Sequence, residues 1–249
     1  MPASIPFDPV ADTYDESRGG ERRGTFMAGV LAPHLDPGGV TAELGIGTGI
    51  VALAMTARGF GVAGIDLSPP MLGRAAVRVP GRVALADAKS APMRTGSASG
   101  AYVVWVLHVV DDPAAVVREA VRVVKPGGSV AIVPANAGAG VPGDPIDDAH
   151  APLDALRPWR PGVDEVQGWL AAAGAVEIGV HTTHDESAQS PNSAADAVEQ
   201  RSWSSLWDVD DATWEAVVVP VIAALRALPD PDVPRVRRHP VDVVVGRVR

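Results

Sequence analysis

Glu43-Leu44-Gly45-Ile46-Gly47-Thr48-Gly49 is the stretch that decides the fold, because it places a glycine-rich turn directly after a short apolar run. Residues 40–44 have the composition of a strand that is buried on both faces. Glycines in such a turn let the backbone approach a ligand, and the helix that follows offers unpaired N–H groups. Glu43 is costly to bury unless a donor or a ligand satisfies it, as an aminoacyl ammonium group would. The turn therefore predicts a ligand site.

The glycine spacing alone does not select the ligand. The pattern G-x-G-x-x-G marks NAD and FAD sites, but here its third glycine position is Ile50, and Gly49 falls one residue earlier. The dinucleotide pattern therefore fails at its last element. An NAD-dependent oxidoreductase is disfavoured by Ile50 and by the turn at residues 125–128, and it stays open as an alternative function.

Short apolar runs alternate with helix signals through the first half of the chain. Ser68-Pro69 and Asp112-Pro113 are typical of helix N-caps followed by proline, and residues 114–125 carry one apolar helical stripe. The alternation predicts an α/β fold, with a Rossmann-like, doubly wound, mostly parallel sheet and helices on both faces. The predicted strands of this part are residues 40–44, 61–67, 82–86, 101–107 and 129–134.

The flanking regions add further elements. Residues 20–35 predict an amphipathic helix before the first strand. Residues 194–207 and 211–228 predict two later helices, and Pro220 is expected to kink the second of them. The remaining predicted strands are residues 176–180 and 240–248.

We expect one domain over residues 1–249, since α/β folds of this length often form a single domain. Residues 37–180 are its expected cofactor-binding core, and residues 181–239 an expected helical insertion that holds the substrate region. This insertion contains three tryptophans whose side chains could either line an apolar substrate pocket or pack between helices, namely Trp203, Trp207 and Trp214. The outer parts are an N-terminal cap segment, 1–36, and a final strand, 240–249.

The composition of the chain limits the classes of binding partner that we expect. The chain has a formal net charge of −9, which argues against nucleic acid, since phosphate binding needs clustered Lys and Arg. No apolar run approaches the length that crosses a bilayer, and residues 1–18 lack the apolar core of a secretory signal. The absence of cysteine fits a reducing compartment. We therefore expect a cytoplasmic protein without a membrane or nucleic-acid partner, of unknown oligomeric state.

Several motifs in the same order resemble those of class I S-adenosylmethionine-dependent methyltransferases, in particular the ubiquinone/menaquinone-methyltransferase-like branch that acts on small molecules. The resemblance spans residues 7–180. It implies a seven-stranded sheet whose final strand is antiparallel, S-adenosyl-L-methionine as the cofactor, and a small-molecule methyl acceptor. The motifs are the glycine turn, Gly64-Ile65-Asp66-Leu67-Ser68-Pro69-Pro70-Met71-Leu72, Ala86-Asp87-Ala88, Val106-Leu107-His108, Arg122-Val123-Val124-Lys125-Pro126-Gly127-Gly128, and the segment with Phe7-Asp8 and Tyr14-Asp15.

The same resemblance assigns candidate site residues. Asp66 is expected to hold the ribose hydroxyls, and Asp87 and Ala88 to line the adenine pocket. From its place in the N-terminal segment, Tyr14 is expected to close over the methionine end, with a plain surface aromatic as the alternative. His108 is the candidate catalytic base, although a histidine that merely packs beside the cofactor is an equal alternative. The other expected cofactor-binding residues are Glu43, Gly45, Gly47, Gly49, Leu67, Met71 and Leu107.

Two questions stay open at this level. His181-Thr182-Thr183-His184-Asp185 contains two histidines and an acid, which are potential metal ligands, but the segment follows a strand and no further ligand is evident. We expect a polar loop there and no metal. A cofactor-binding protein without catalysis is also compatible with these motifs, since methyl transfer needs few chemical groups from the protein.

Overall fold

The computed structural model describes residues 7, 11, 14–17, 19–135, 141, 143–157 and 159–249. The other positions of the Phe7-Asp8 and Tyr14-Asp15 segment therefore lie outside the described residues. Seven strands form one sheet in the order β3-β2-β1-β4-β5-β7-β6. The strands are β1 (Val40–Leu44), β2 (Gly61–Asp66), β3 (Val83–Leu85), β4 (Ala98–Val104), β5 (Val124–Val133), β6 (Ala175–Gln189) and β7 (Arg235–Val248).

The pairing of the strands confirms the predicted fold class. β1 pairs in parallel with β2 and with β4, β2 does so with β3 and β4 with β5, whereas β7 runs antiparallel to β5. All seven residues of β4 are buried, as expected of a central strand covered on both faces. The sheet is thus the mixed, Rossmann-like one that the sequence predicts.

Ten helices accompany the sheet in the part of the chain described. Two of them begin at the predicted caps: Ser68 Oγ accepts a hydrogen bond from the backbone N–H of Met71, and Asp112 Oδ1 accepts one from Ala115. None of the described helices is long and apolar enough to span a bilayer. The helices are α1 (Tyr14–Ser17), α2 (Gly20–Leu31), α3 (Ile50–Thr56), α4 (Pro69–Arg78), α5 (Pro113–Val123), α6 (Pro145–His150), α7 (Val163–Ala172), α8 (Pro191–Glu199), α9 (Asp211–Thr213) and α10 (Val219–Arg226).

Two local predictions are wrong, and a third is modified by the structure. Residues 181–185 are not a polar loop, because β6 continues through them to Gln189 with exposure that alternates along the strand. The helix predicted at 194–207 begins earlier and ends at Glu199. The helix predicted at 211–228 runs from Asp211 to Arg226 as α9, a π-helical segment (Trp214–Val218) and α10. Its regular α-helical hydrogen bonding is thus interrupted just before Pro220, where a proline is expected to disturb the preceding turn.

The described chain forms two compact units. The first comprises Met1–Ala135, Arg160–Thr183 and Asp242–Arg249, and its apolar core packs α5 and α7 against the central strands. The second comprises Asn136–Trp159 and His184–Val241, and it has its own apolar core of Ile146, Leu153, Ala194, Ala195, Val198, Leu206, Val218, Val221 and Leu225. The second unit thus contains a segment that ends at Trp159 in addition to His184–Val241, whereas the sequence predicts a helical insertion over residues 181–239 alone.

A buried histidine makes the second unit sensitive to acid. His150 is 7% exposed, and burial, followed by repulsion from Arg237, lowers its pKa to about 4. Since an unfolded histidine titrates near 6.5, the unfolded chain gains a proton below that pH that the folded chain does not. We expect this group to lower the free energy of unfolding by about 2–3 kcal/mol between pH 7.5 and pH 4.5.

Urea unfolding at the two pH values tests this expectation. His150→Phe should lack this component of the pH dependence, whereas His184→Gln, which changes an exposed histidine, should retain it. The same pH dependence in wild type and in His150→Phe would contradict the assignment.

Candidate functional site

The glycine turn lies where β1, β2 and β4 end side by side. The backbone N–H groups of Gly45 and Ile46 both donate to the carbonyl oxygen of Ile65, at 2.9 and 2.8 Å. These bonds tie the start of the turn to the end of β2. Because parallel strands end at the same edge of a sheet, the turn and the residues after β2 and β4 form one site.

Asp66, the last residue of β2, holds the middle of the turn. Its Oδ2 accepts a hydrogen bond from the backbone N–H of Gly47 at 2.8 Å, and its Oδ1 accepts one from Ser68 at 2.9 Å. A carboxylate oxygen can accept more than one hydrogen bond, so both oxygens keep capacity for the two hydroxyls of a ribose. The structure is therefore compatible with the ribose role expected of Asp66.

Two adjoining cavities open at this edge, here called cavity A and cavity B. Tyr14, Gly45, Gly47, Val104 and Trp105 line both of them. Cavity A is further lined by Phe7, Asp66, Leu67, Met71, Ala86, Asp87, Ala88, Val106, Val109 and Val110. Cavity B is further lined by Asp15, Gly20, Arg23, Glu43, Ile46, Thr48, Ile50 and Val51.

Most of the expected cofactor-binding residues line these cavities, and three of the expected site residues do not. Leu107 is 1% exposed within the apolar core, so its side chain reaches neither cavity. Gly49 is the N-cap of α3 and has a left-handed backbone, but it lines neither cavity. His108 is half-buried and also lines neither cavity, which leaves its catalytic role a prediction.

Glu43 is a buried carboxyl at the wall of cavity B. It is 2% exposed, and the hydroxyl of the equally buried Tyr102 donates to its Oε2 at 2.8 Å. Burial raises the pKa of Glu43 well above its usual value, the Tyr102 hydrogen bond opposes that rise, and the nearby Asp66 adds to it. Because the Glu43 carboxyl is buried and lines cavity B, a cationic group in that cavity would be strongly favoured beside it.

We expect Glu43→Gln to stabilise the ligand-free protein and to weaken its binding of S-adenosylhomocysteine by tenfold or more. Glutamine keeps an oxygen for the Tyr102 hydroxyl, avoids the burial of a charge, and cannot pair with an ammonium group. The raised pKa of Glu43 means that its ionisation opposes folding as the pH rises above the ordinary value of 4.5. The stabilisation by glutamine should therefore grow with pH.

Calorimetry of melting and of ligand binding measures both effects. Glu177→Gln, which changes an exposed glutamate outside both cavities, is the control and should alter neither quantity. A lower melting temperature for Glu43→Gln than for wild type would contradict this prediction, because it would show that the charged carboxyl stabilises the ligand-free protein.

Asp87 follows β3 and lines cavity A. Its Oδ1 accepts a hydrogen bond from the backbone N–H of Lys89 at 2.8 Å. The Lys89 ammonium lies 2.5 Å from Asp111 Oδ1 and 3.5 Å from Asp87 Oδ2. The loop after β3 is thereby joined to the loop after β4, and the Asp87 carboxylate is held at the cavity.

Trp105 and Arg23 are site residues that the sequence did not reveal. Trp105 directly follows β4 and has a positive φ of 54°, which is rare for a bulky residue and is often found at functional sites. The Arg23 guanidinium lies 3.7 Å from the centre of the Trp105 ring, within cation–π distance. The position of Trp105 after a central strand was the only available signal, because no local pattern predicts its backbone conformation.

The histidines at positions 181 and 184 both lie on β6. No group of three or more potential metal ligands occurs among the residues that the structure describes. The ring of His181 instead lies against that of His34, with centroids 4.3 Å apart. Burial and the neighbouring His181 both lower the pKa of His34.

Comparison with known proteins agrees with this geometry. Residues 42–132 match the family model of a methyltransferase domain. No curated protein sequence matches the chain.

Solved structures share the fold. A possible histamine N-methyltransferase from Thermotoga maritima has a TM-score of 0.60 at 17% identity, over 98% of both chains. A protein named as a methyltransferase of an antibiotic biosynthesis pathway in Anabaena variabilis has a TM-score of 0.66 at 16% identity, over 93% of this chain and 99% of the other. Phosphoethanolamine N-methyltransferase 2 from Haemonchus contortus has a TM-score of 0.60 at 18% identity, over 97% of this chain but 57% of its own.

At these identities the solved structures establish the fold, whereas the family model covers the glycine turn, Asp66, Asp87 and Trp105. The matched region thus holds most of the walls of cavity A. Residues 42–132 are therefore similar to a methyltransferase domain, and they lie in a chain that has the fold of the solved methyltransferase structures.

Proposed function

We propose that the protein transfers the methyl group of S-adenosylmethionine to a small-molecule acceptor. The observation that carries this proposal is that cavities A and B share lining residues at the glycine turn and the end of β4, and that acidic residues line both cavities. Asp66 and Asp87 line cavity A, and Glu43 lines cavity B. This charge pattern fits the adenine amine at Asp87, the ribose hydroxyls at Asp66 and the methionine ammonium at Glu43, which is the order of these groups along one extended ligand.

The proposed binding roles follow from the contacts. Asp66 accepts the ribose hydroxyls while it keeps its bond to Gly47. Leu67 and Met71 enclose the adenine from the α4 side, with Ala88 and Asp87 at its edge. Glu43 receives the ammonium group, and Tyr14 covers the junction of the two cavities. Gly45 and Gly47 leave room for the ligand to lie against the backbone.

The chain's own residues contribute chiefly orientation and the exclusion of water. The cofactor supplies a methyl group already activated as a sulfonium, so a dedicated base is optional. Several of the side chains that line cavity A are apolar, among them Val106, Val109 and Val110. Such a wall excludes water from the reacting groups. His108 as a base stays a prediction, since its ring lines neither cavity.

The acceptor class is the finer part of the proposal. An apolar wall together with the aromatic rings of Phe7 and Trp105 favours a small, flat acceptor such as a quinol or phenol, as the resemblance to the ubiquinone/menaquinone-like branch implies. The net charge of −9 disfavours a nucleic acid. Cytoplasmic location and the division into a core and a helical substrate region remain predictions.

Calorimetric titration with S-adenosylhomocysteine, with NAD in a parallel titration, tests the cofactor. Binding of the former alone is expected. Transfer of a labelled methyl group to a panel of phenols, quinols and amines then tests the reaction. An absence of binding would overturn the proposal, and binding without transfer to any acceptor would favour a non-catalytic cofactor-binding protein.

A further inference from the structure

Three side chains join the N-terminal segment to the glycine turn. Asp15 Oδ1 accepts a hydrogen bond from the Thr48 hydroxyl at 2.6 Å. Arg78 Nη2 donates to Asp15 Oδ2 at 2.6 Å, and Arg78 Nη1 donates to the backbone carbonyl oxygen of Thr48 at 2.7 Å. Each of the three residues therefore bonds to both of the others.

These contacts are shielded enough to be strong. Thr48 is 2% exposed, and the side chains of Asp15 and Arg78 are 14% and 24% exposed. Hydrogen bonds between charged groups are about twice as strong as neutral ones, and shielding from water strengthens them further. A buried Thr48 hydroxyl without Asp15 would also lose its partner, which adds to the cost of separation.

The cluster joins three elements that meet at the cofactor site. Asp15 belongs to α1, Thr48 to the glycine turn, and Arg78 is the last residue of α4. Tyr14, the neighbour of Asp15 in α1, lines both cavities, and its ring meets that of Phe7 edge-on with centroids 6.0 Å apart. The position of Tyr14 over the cavities thus depends on where Asp15 is held.

We propose that Asp15, Thr48 and Arg78 form a latch that holds Tyr14 over the bound cofactor and sets how fast the cofactor leaves. They are positioning residues, since they act through α1 and the turn. The inference rests on the proposed function, because it assigns a role to these residues in binding at cavities A and B. Release of the ligand past Tyr14 requires α1 to move, and that movement breaks both bonds of the Asp15 carboxylate.

The dissociation rate of S-adenosylhomocysteine, measured by stopped-flow displacement from the full-length chain, tests the latch. Asp15→Asn keeps one oxygen for Thr48 but loses the ion pair, and Arg78→Lys keeps the charge but loses the planar fork that reaches both partners. Each variant is expected to release the ligand about tenfold faster, with little change in the association rate. Asp36→Asn and Arg82→Lys are matched controls outside both cavities and should match wild type.

The double variant shows whether the residues act as one device. Since either substitution opens the same latch, the double variant should release the ligand no more than about tenfold faster than wild type, whereas independent effects would multiply. Hydrogen exchange of residues 14–17 in the ligand-free protein should quicken in both single variants.

The outcomes separate the latch from the function. If wild type binds S-adenosylhomocysteine and the single variants release it at the wild-type rate, the latch is overturned while the proposed function stands, even if the variants melt earlier. If wild type does not bind it, the proposed function is overturned and the latch with it. Faster release that multiplies in the double variant overturns the idea of a single device.

Discussion

Asp66→Ala is expected to weaken the binding of S-adenosylhomocysteine by about 10- to 100-fold, or about 1.4–2.7 kcal/mol. Alanine removes both acceptors for the ribose hydroxyls. It also removes the acceptor for the N–H of Gly47, so the middle of the turn loses its hydrogen bond to β2. Isothermal titration calorimetry at constant salt measures the affinity, and urea unfolding shows how much folded protein is present.

Two further variants separate these causes. Asp66→Asn keeps one acceptor oxygen and should fall between wild type and alanine. Asp36→Ala also removes an aspartate that accepts a backbone N–H, in this case from Gly38, but outside both cavities. Its affinity for the ligand should be that of wild type. Unchanged affinity in Asp66→Ala would remove Asp66 from the site.

Gly49→Ala is expected to cost the folded protein about 2–5 kcal/mol. The φ of Gly49 is +78°, and a left-handed conformation costs an alanine about 1–2 kcal/mol. In addition, its Cβ would lie 2.9 Å from the Cα of Ala75 in α4, a backbone atom, and such overpacking costs about 1–3 kcal/mol. Urea unfolding at neutral pH measures the sum.

Gly59→Ala isolates the conformational part of this cost. Gly59 has a φ of +88°, and its Cβ would have no atom within 4 Å, so only the backbone penalty applies. The difference between the two variants therefore reports the contact between the turn and α4. Equal losses in both would show that α4 moves aside at no cost.

Most of the walls of cavity A were predictable because they depend on where strands end. Asp66 and Asp87 lie at or just after two neighbouring strands, and the carboxyl ends of parallel strands meet at one edge of a sheet. The strand β6 was underestimated for a related reason. It lies at the edge of the sheet, so it needs no continuous apolar run, and the polar residues of 181–185 resembled a loop.

The contacts that organise the site were not predictable. Tyr102 meets Glu43 because β4 pairs with β1 in a register that places the two residues side by side, 59 positions apart in the chain. Asp15 and Arg78 are 63 positions apart. No local periodicity reports on partners at such separations.

The sequence by itself determined the alternation of strands and helices in the first half of the chain, the mostly parallel sheet and the positions of the turn and of Asp66, because these follow from periodicity, caps and glycines within short windows. The antiparallel final strand came from the resemblance. Only the tertiary structure showed that the Tyr102 hydroxyl bonds to Glu43 and that Leu107 belongs to the core. The same holds for the left-handed backbone of Trp105 and the contact of its ring with Arg23. The reason is physical: each of these depends on which distant side chain shares a buried space, and burial exists only once the sheet has formed.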